Sequence, residues 1–180
     1  VTLLFNKKES RSEQIGNVHV YRVSFGGAYL SKILFVPLAA LKARTLHKKQ
    51  RFDALWAVMT YMLFPVVFLR MLGIKIPYIL TLQDGDPYEK VFGRWFILPV
   101  IPLLDVGFRN AALVQAISSF LGEWPRRRGY TGPIAIVHNG ADPRDLDDAV
   151  SEAEVEAMKR KLGKKQGDIF LVNTSRLVHQ

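Results

Sequence analysis

The apolar residues of this chain fall into short uninterrupted runs that alternate with longer segments of helical spacing. Strands are predicted at residues 77–82, 112–117 and 134–137. The uninterrupted apolar runs there, at residues 79–80, 111–114 and 134–137, are typical of strands buried on both faces of a sheet. In residues 29–50, by contrast, leucines recur at helical spacing and basic residues crowd the end of the segment. This alternation predicts βαβ units and a parallel sheet.

The remaining elements of residues 1–140 continue the alternation. The pattern predicts strands at residues 1–5, 18–24 and 52–58 and helices at residues 60–72, 88–110 and 119–128. The helical segment 88–110 is expected to break at Pro99 and Pro102, and Ser118 is expected to cap the last helix. Residues 1–140 therefore predict most of a Rossmann-like, doubly wound α/β domain, in which no GxGxxG or Walker phosphate loop is present.

The character of the chain changes after residue 140. Residues 141–167 begin as an acidic linker and continue as an amphipathic helix, with Ser151 and Glu154 in the spacing of a capping box. Residues 168–180 resume an apolar strand-like pattern, which we interpret as the start of a second α/β domain. Strand-like residues at both ends of the sequence lead us to expect a fragment that lacks its first βα unit.

The charge of the chain is concentrated in its first 140 residues. Of 25 Lys plus Arg and 16 Asp plus Glu, residues 1–140 hold 18 and 8, whereas residues 141–180 hold 7 and 8. A positive surface of this strength favours phosphate-bearing partners, which are nucleotides, nucleic acids or an anionic membrane face. The absence of cysteine excludes a disulfide scaffold, a thiolate metal site and a cysteine nucleophile, and the four histidines have no metal-ligand spacing, so no metal is expected.

Two apolar segments raise the question of membrane contact. Residues 54–69 carry no charge, but 16 residues fall short of the roughly 20 that a span needs, which favours a buried element. Residues 92–104 combine aromatic and aliphatic side chains with basic flanks. That second segment is open to two interpretations, a core-facing helix or a segment that lies on a membrane.

The candidate site lies in the loops that follow the predicted strands, because ligands of open parallel sheets bind beyond the carboxyl ends of the strands. In the most distinctive of these loops two carboxylates flank a glycine. Each loop taken alone is compatible with an ordinary solvated turn, whereas several polar loops on one edge favour a binding site. The candidate residues are Gln83, Asp84, Gly85 and Asp86 in one loop, and Ser118, His138, Asn139 and Gly140 in two others.

An ordered series of motifs resembles a known family. The segments RFDALWA, IPYILTLQDGDPY, AALVQAISSFL, GPIAIVHNGAD and FLVNTSRLVHQ occur in this order and span almost the whole chain. Together they resemble the GT4-like (group 1, family 4) glycosyltransferases, which have the GT-B fold and use nucleotide-sugars with retention of configuration.

The resemblance implies a role for each part of the chain. Residues 1–140 would bind the acceptor, with Gln83, Asp84, Gly85 and Asp86 on the acceptor side. Ser118, His138, Asn139 and Gly140 would shape the cleft near the hinge. Arg176 matches the arginine that holds the donor diphosphate, in a donor domain that starts at residue 168. A nucleotide-sugar is then a co-substrate, and no cofactor is implied.

One position departs from the family pattern. Gln83 stands where many relatives have a histidine near the acceptor and the transferred sugar. A glutamine hydrogen-bonds sugar hydroxyls but takes up no proton near neutral pH. The usual role of that position is therefore in doubt, and Asp84 or Asp86 is the alternative ligand of acceptor hydroxyls.

The expected function is sugar transfer to a saccharide or lipid-linked acceptor in cell-envelope or polysaccharide biosynthesis. The protein would be cytoplasmic and would lie at the anionic inner face of the cytoplasmic membrane. The 180 residues alone are expected to be inactive. Three alternatives stay open: a basic α/β module that binds nucleic acid or a membrane surface, another GT-B enzyme such as a sugar-nucleotide epimerase, and a membrane-embedded interaction protein. Because no aromatic-basic recognition motif is present, no nucleic acid is expected as a partner.

Overall fold

A computed structural model describes residues 1–3, 8–140 and 150–171 of the chain. The chain divides into two compact units, Val1–His138 and Asn139–Gln180. The strands are β1 (Thr2–Leu3), β2 (Ser12–Ile15), β3 (Val18–Val23), β4 (Leu55–Val58), β5 (Tyr78–Leu82), β6 (Leu113–Ala116) and β7 (Ile134–Ile136). The helices are α1 (Tyr29–Lys49), α2 (Leu63–Met71), α3 (Tyr88–Phe92), α4 (Ile101–Arg109), α5 (Ser119–Arg127) and α6 (Glu152–Lys161).

The four strands of the larger sheet are all parallel and lie in the order β4-β5-β6-β7. Each successive pair is connected through a helical segment: α2, then α3 with α4, then α5. This arrangement confirms the predicted Rossmann-like α/β class. The central strand β5 is almost completely buried, as its uninterrupted apolar sequence indicates.

A second, smaller sheet precedes the larger one in the chain. Its order is β1-β3-β2, with β1 parallel and β2 antiparallel to β3. The prediction omitted β2, because Ser12–Ile15 is mostly polar and exposed and has no buried face to produce a hydrophobic pattern. A tight turn with Gly16 at φ +55° connects β2 to β3.

The helices confirm most of the predicted boundaries, with one correction. The helix α1 spans Tyr29–Lys49, and α2 is followed by Gly73 at φ +86°. The segment 88–110 does break, but between α3 and a 3-10 turn at Leu98–Val100 rather than at its prolines. Pro99 and Pro102 instead occupy the first positions of that turn and of α4, where a missing N–H costs no hydrogen bond.

The core of the first unit lies between the parallel sheet and its helices. Leu80 and Val114 of the sheet and Leu104 and Phe108 of α4 are completely buried. The hydroxyl of Tyr78 donates a hydrogen bond to the carbonyl of Gly107, which joins β5 to α4. Residues 54–69 form β4, a 3-10 turn and most of α2, in agreement with a buried element. Among the described residues, no helix is both long and apolar enough to cross a bilayer.

The second unit is described for residues 139–140 and 150–171 only. Its helix α6 begins with the predicted capping box, in which the Ser151 hydroxyl accepts a bond from the Glu154 amide and the Glu154 carboxylate accepts one from the Ser151 amide. Within the strand-like segment 168–180, the described residues 169–171 have no strand pairing. The start of the acidic linker, the rest of that segment and Arg176 lie outside the described residues.

Candidate functional site

The loops after β4, β5, β6 and β7 lie along one edge of the parallel sheet. The backbone ladder extends past the strand ends, where the N–H of Met59 donates to the carbonyl of Thr81 at 2.8 Å and the N–H of Val137 donates to that of Ala116 at 2.9 Å. The loop at residues 83–86, Ser118 and His138, which the sequence analysis singled out, therefore share this edge with the loop after β4, as parallel strands require.

The first polar contact at this edge joins the loops after β4 and β5. The carboxylate of Asp84 accepts bonds from the backbone N–H of Thr60 at 3.2 and 3.3 Å and from its hydroxyl at 3.0 Å. Met59, which precedes Thr60, has φ +73°. This left-handed conformation is uncommon for a residue with a side chain and turns the chain so that Thr60 faces Asp84.

The surroundings of Asp84 oppose its ionisation. Burial raises the pKa of this carboxyl above its usual value, although the hydrogen bonds from Thr60 act in the opposite direction. Thr60 itself is completely buried. Asp84 is thus engaged in fixing the two loops, and its contacts with Thr60 occupy both of its oxygens.

Asp86, two residues further on, has the opposite environment. Its carboxylate accepts bonds from Lys90 Nζ at 2.9 Å and from Arg94 Nη2 at 2.8 Å, and 37% of its side chain is exposed. The bond from Lys90 is the main cause that lowers the pKa of Asp86, and the charges of Lys90 and Arg94 add to it. Asp86 is therefore an ionised, solvent-accessible carboxylate whose position is set by two cations.

Tyr61 extends this ion-pair cluster toward the loop after β4. Its hydroxyl donates to the carbonyl of Val91 at 2.7 Å and accepts a long bond from Arg94 at 3.4 Å, and the guanidinium of Arg94 lies 6.0 Å from its ring centroid. Burial is the main cause that raises the pKa of Tyr61. The tyrosine and the carboxylate therefore hold Arg94 from two sides.

The other two residues of the predicted acceptor loop are accessible. Gln83 is exposed, and its amide makes no hydrogen bond within the part of the chain that the structure describes. A Cβ added to Gly85 would meet open space, so the role of this glycine is not to avoid a steric clash with its surroundings. The loop thus presents an amide and a carboxylate to solvent on either side of a small, uncrowded backbone segment.

The predicted cleft residues have different environments. The Ser118 hydroxyl accepts a bond from the Leu121 amide at 3.3 Å and so acts as the cap of α5, as expected. The Nδ1 of His138 lies 2.9 Å from the carbonyl of Ile117, which ties the end of β7 to that of β6. Asn139 and Gly140 follow in the second unit.

Four contributors to the site were not among the predicted site residues. They are Thr60, Tyr61, Lys90 and Arg94. Thr60 could have been predicted from the sequence because it follows β4 just as the acidic loop follows β5. Lys90 could have been predicted because it stands four residues after Asp86, a spacing that favours an ion pair. Arg94 gave no such signal, because its position depends on how α3 ends. Among the described residues, no group of three or more His, Asp or Glu side chains is placed to hold a metal ion.

A parallel sheet with ion-paired and hydrogen-bonding groups along its carboxyl edge is the arrangement in which α/β proteins commonly bind polar ligands. The profile of the glycosyl transferase 4-like domain matches residues 1–140, and the chain belongs to this family. No curated protein matches the chain. Among solved structures, it is similar to the α,α-trehalose 6-phosphate synthase of Burkholderia multivorans, with 16% identity and a TM-score of 0.49. That similarity covers 76% of this chain and 34% of the synthase chain, so the chain spans about a third of the length of this structural relative.

Proposed function

We propose that residues 1–140 bind the acceptor of a glycosyltransferase, and that Asp86 holds an acceptor hydroxyl. One observation carries the proposal: Asp86 is an ionised and partly exposed carboxylate at the carboxyl edge of the sheet, fixed by Lys90 and Arg94. Membership of the glycosyl transferase 4-like family supports sugar transfer as the reaction. The exposed amide of Gln83 supplies a second hydrogen-bonding group on the same loop.

The environment of Asp86 suits binding better than proton abstraction. A carboxylate whose pKa is lowered is a weak base, so it holds a hydroxyl by accepting its hydrogen bond and leaves the proton in place. A hydroxyl oriented in this way is kept close to the reacting sugar carbon, which reduces the entropy lost in reaching the transition state. Asp84 has a different part in the proposal: burial raises its pKa, and its bonds to the completely buried Thr60 make it a residue that positions the loop.

The finer parts of the proposal rest on the family resemblance. They are a nucleotide-sugar donor, transfer with retention, a saccharide or lipid-linked acceptor, and a place in cell-envelope or polysaccharide synthesis on the cytoplasmic side. Arg176 would contact the donor diphosphate, since arginine stabilises the negative charge that develops on such a leaving group. The donor half lies outside residues 1–140, so we expect these 180 residues to bind an acceptor but to transfer no sugar.

The direct test is saccharide binding to the 180-residue chain, measured by saturation-transfer NMR against a panel of mono- and disaccharides. We expect at least one saccharide to bind and Asp86→Asn to weaken it about tenfold or more, because a hydrogen bond to a charged group contributes roughly 1.5–3 kcal/mol. The matched control is Asp53→Asn, since Asp53 is exposed and precedes β4 at the opposite edge of the sheet.

Two results would contradict the proposal. Equal weakening by both variants would mean that the loss reflects general charge rather than a site at Asp86. Sugar transfer by the 180 residues alone, with a radiolabelled nucleotide-sugar as donor, would show that the donor site lies within this chain.

A further inference from the structure

One side of α1 exposes large apolar residues to solvent. Leu30, Ile33 and Leu41 are 60, 52 and 44% exposed. At about 100° per residue these three lie within about 80° of one another around the helix. The buried Phe35 and Ala39 lie on the other side, and the buried Ala40 marks the border next to Ile33. The solvent-facing side of a surface helix is normally polar, so an apolar side indicates that another molecule binds there.

An exposed tryptophan continues this apolar side. The rings of Tyr29 and Phe96 lie 5.7 Å apart edge to face, and Phe96 makes the same kind of contact with Trp95, also at 5.7 Å. Trp95 is 82% exposed and Tyr29 is 58% exposed. We call this combined region, formed by Tyr29, Leu30, Ile33, Leu41 and Trp95, the α1–Trp95 surface.

The α1–Trp95 surface is flanked by basic residues, and the same segment of the sequence contains no acidic residue. Residues 23–52 contain six Lys or Arg and no Asp or Glu. Three of the six, Lys48, Lys49 and Arg51, stand at or just beyond the end of α1, and Lys48 lies on the same side of the helix as Leu30. The exposed apolar residues and the basic residues near the end of α1 together supply apolar contact and positive charge, the two contributions that strengthen binding to an anionic membrane surface.

We propose that the α1–Trp95 surface docks the protein on an anionic lipid bilayer. The charge and the apolar character of the surface favour a bilayer over a second copy of the chain and over a nucleic acid. A second copy of the chain would bring the same basic segment to the contact and be repelled, while a nucleic acid would leave exposed leucine and isoleucine without an apolar partner. A bilayer accepts aliphatic side chains and tryptophan at its interface and attracts lysine and arginine through its anionic headgroups.

The docking surface is next to the candidate site. Trp95 directly follows Arg94, which binds Asp86 at 2.8 Å. Docking through Trp95 would therefore bring the carboxyl edge of the sheet to the lipid headgroups, where a lipid-linked acceptor is accessible. Only this last step rests on the proposed function; membrane docking itself requires no sugar transfer.

The test is co-sedimentation of the 180-residue chain with vesicles of phosphatidylcholine alone or mixed equally with phosphatidylglycerol. We expect strong binding to the mixed vesicles, weak binding to the neutral ones, and a loss of binding as salt is raised. The variant Lys48→Gln with Lys49→Gln should bind the mixed vesicles about 30-fold more weakly. Each charge removed weakens binding by roughly 1 kcal/mol, and about 1.4 kcal/mol corresponds to a tenfold change in affinity.

The apolar half of the proposal has its own pair of variants. Leu30→Ser with Ile33→Ser should bind mixed vesicles at least about tenfold more weakly, since each residue loses an apolar side chain that would enter the bilayer. Ile15→Ser with Val18→Ser is the matched control, because both residues are exposed at 59 and 62% in the β2–β3 hairpin. The control for the charge variant Lys48→Gln with Lys49→Gln is Arg160→Gln with Lys161→Gln, which removes two positive charges at the end of α6.

The outcomes separate the occupants. Equal binding to neutral and mixed vesicles, or equal loss in test and control variants that retain the wild-type circular dichroism spectrum, would overturn the proposal. So would the absence of vesicle binding together with capture of an acidic protein through the same residues. Vesicle binding without saccharide binding would uphold the docking surface and count against the proposed function alone.

Discussion

Thr60 donates its backbone N–H and its hydroxyl to the carboxylate of Asp84, and so joins the loops that follow two neighbouring strands. The pair is partly buried at the edge of the sheet, two residues before the exposed carboxylate of Asp86. Its geometry assigns different tasks to two acidic residues that look equivalent in sequence: Asp84 fixes the loop and Asp86 faces the solvent.

Removing the Thr60 hydroxyl should destabilise the protein. Thr60→Val keeps the side-chain shape but leaves a buried carboxylate with one bond fewer, which costs roughly 1–3 kcal/mol of unfolding free energy at neutral pH. Thr45→Val is the control, since the Thr45 hydroxyl bonds to the Leu41 carbonyl on an exposed part of α1 and should cost less than about 0.5 kcal/mol. Urea unfolding measures both; similar values would contradict a special role for the Thr60–Asp84 pair.

The two carboxyls of the acceptor loop should titrate in a fixed order. Burial raises the pKa of Asp84 above the usual 3.8, and the bond from Lys90 lowers the pKa of Asp86 below it. On acidification Asp84 therefore takes its proton first, as carboxyl-carbon NMR would report. The opposite order would contradict the assignment of their roles.

The same shifts have opposite effects on stability. The folded state binds the Asp84 proton more tightly than the unfolded state, so its contribution is fully favourable below pH 3.8 and is lost as pH rises through the folded pKa. The contribution of Asp86 is present above pH 3.8 and is lost as pH falls through its lower folded pKa. The two contributions oppose each other, so Asp84→Asn, which removes only the first, should lose unfolding free energy more steeply than the wild type as pH falls from 7 to 3. An unchanged profile would contradict this account.

Gly107 should tolerate no side chain. A Cβ there would lie 2.9 Å from the Cβ of Leu63 and 3.2 Å from both of its terminal carbons, so Gly107→Ala forces α2 and α4 apart at a cost of roughly 1–3 kcal/mol. Gly85→Ala is the matched control, because a Cβ at Gly85 meets open space. Thermal unfolding would contradict this account if both substitutions lowered the midpoint equally.

The ion pair between Arg128 and Asp105 should matter more than a surface pair nearby. Arg128 Nε donates to Asp105 Oδ1 at 2.6 Å, and only 16 and 24% of the two side chains are exposed. Asp105→Asn should cost roughly 1–3 kcal/mol, as a charged hydrogen bond is lost from a half-buried position. Glu123→Gln, which breaks the exposed 3.7 Å pair with Arg127, should cost less than about 1 kcal/mol. Urea unfolding that ranks the two in reverse would contradict this account.

Hydrophobic patterning predicted the larger sheet because its inner strands β5 and β6 are largely buried and carry that burial in their composition. The edge strand β7 has the same apolar composition but is only partly buried, contrary to the expectation of burial on both faces. The strands β5, β6 and β7 and the helices α1 and α5 lie within a residue or two of their expected bounds. The strand β2 was not predicted because it is mostly polar and exposed and so has no hydrophobic pattern. Only its pairing with β3 makes it a strand.

The candidate site divides in the same way between sequence and structure. Spacing along the chain determined which loops would share the carboxyl edge, because parallel strands place their ends together whatever the details of packing. Only the tertiary structure decided that Asp84 meets Thr60 and that Asp86 meets Arg94, since these pairs come from different loops or from beyond the end of a helix. Local periodicity encodes burial, whereas the partner of a polar side chain depends on three-dimensional neighbours that no single stretch of sequence contains.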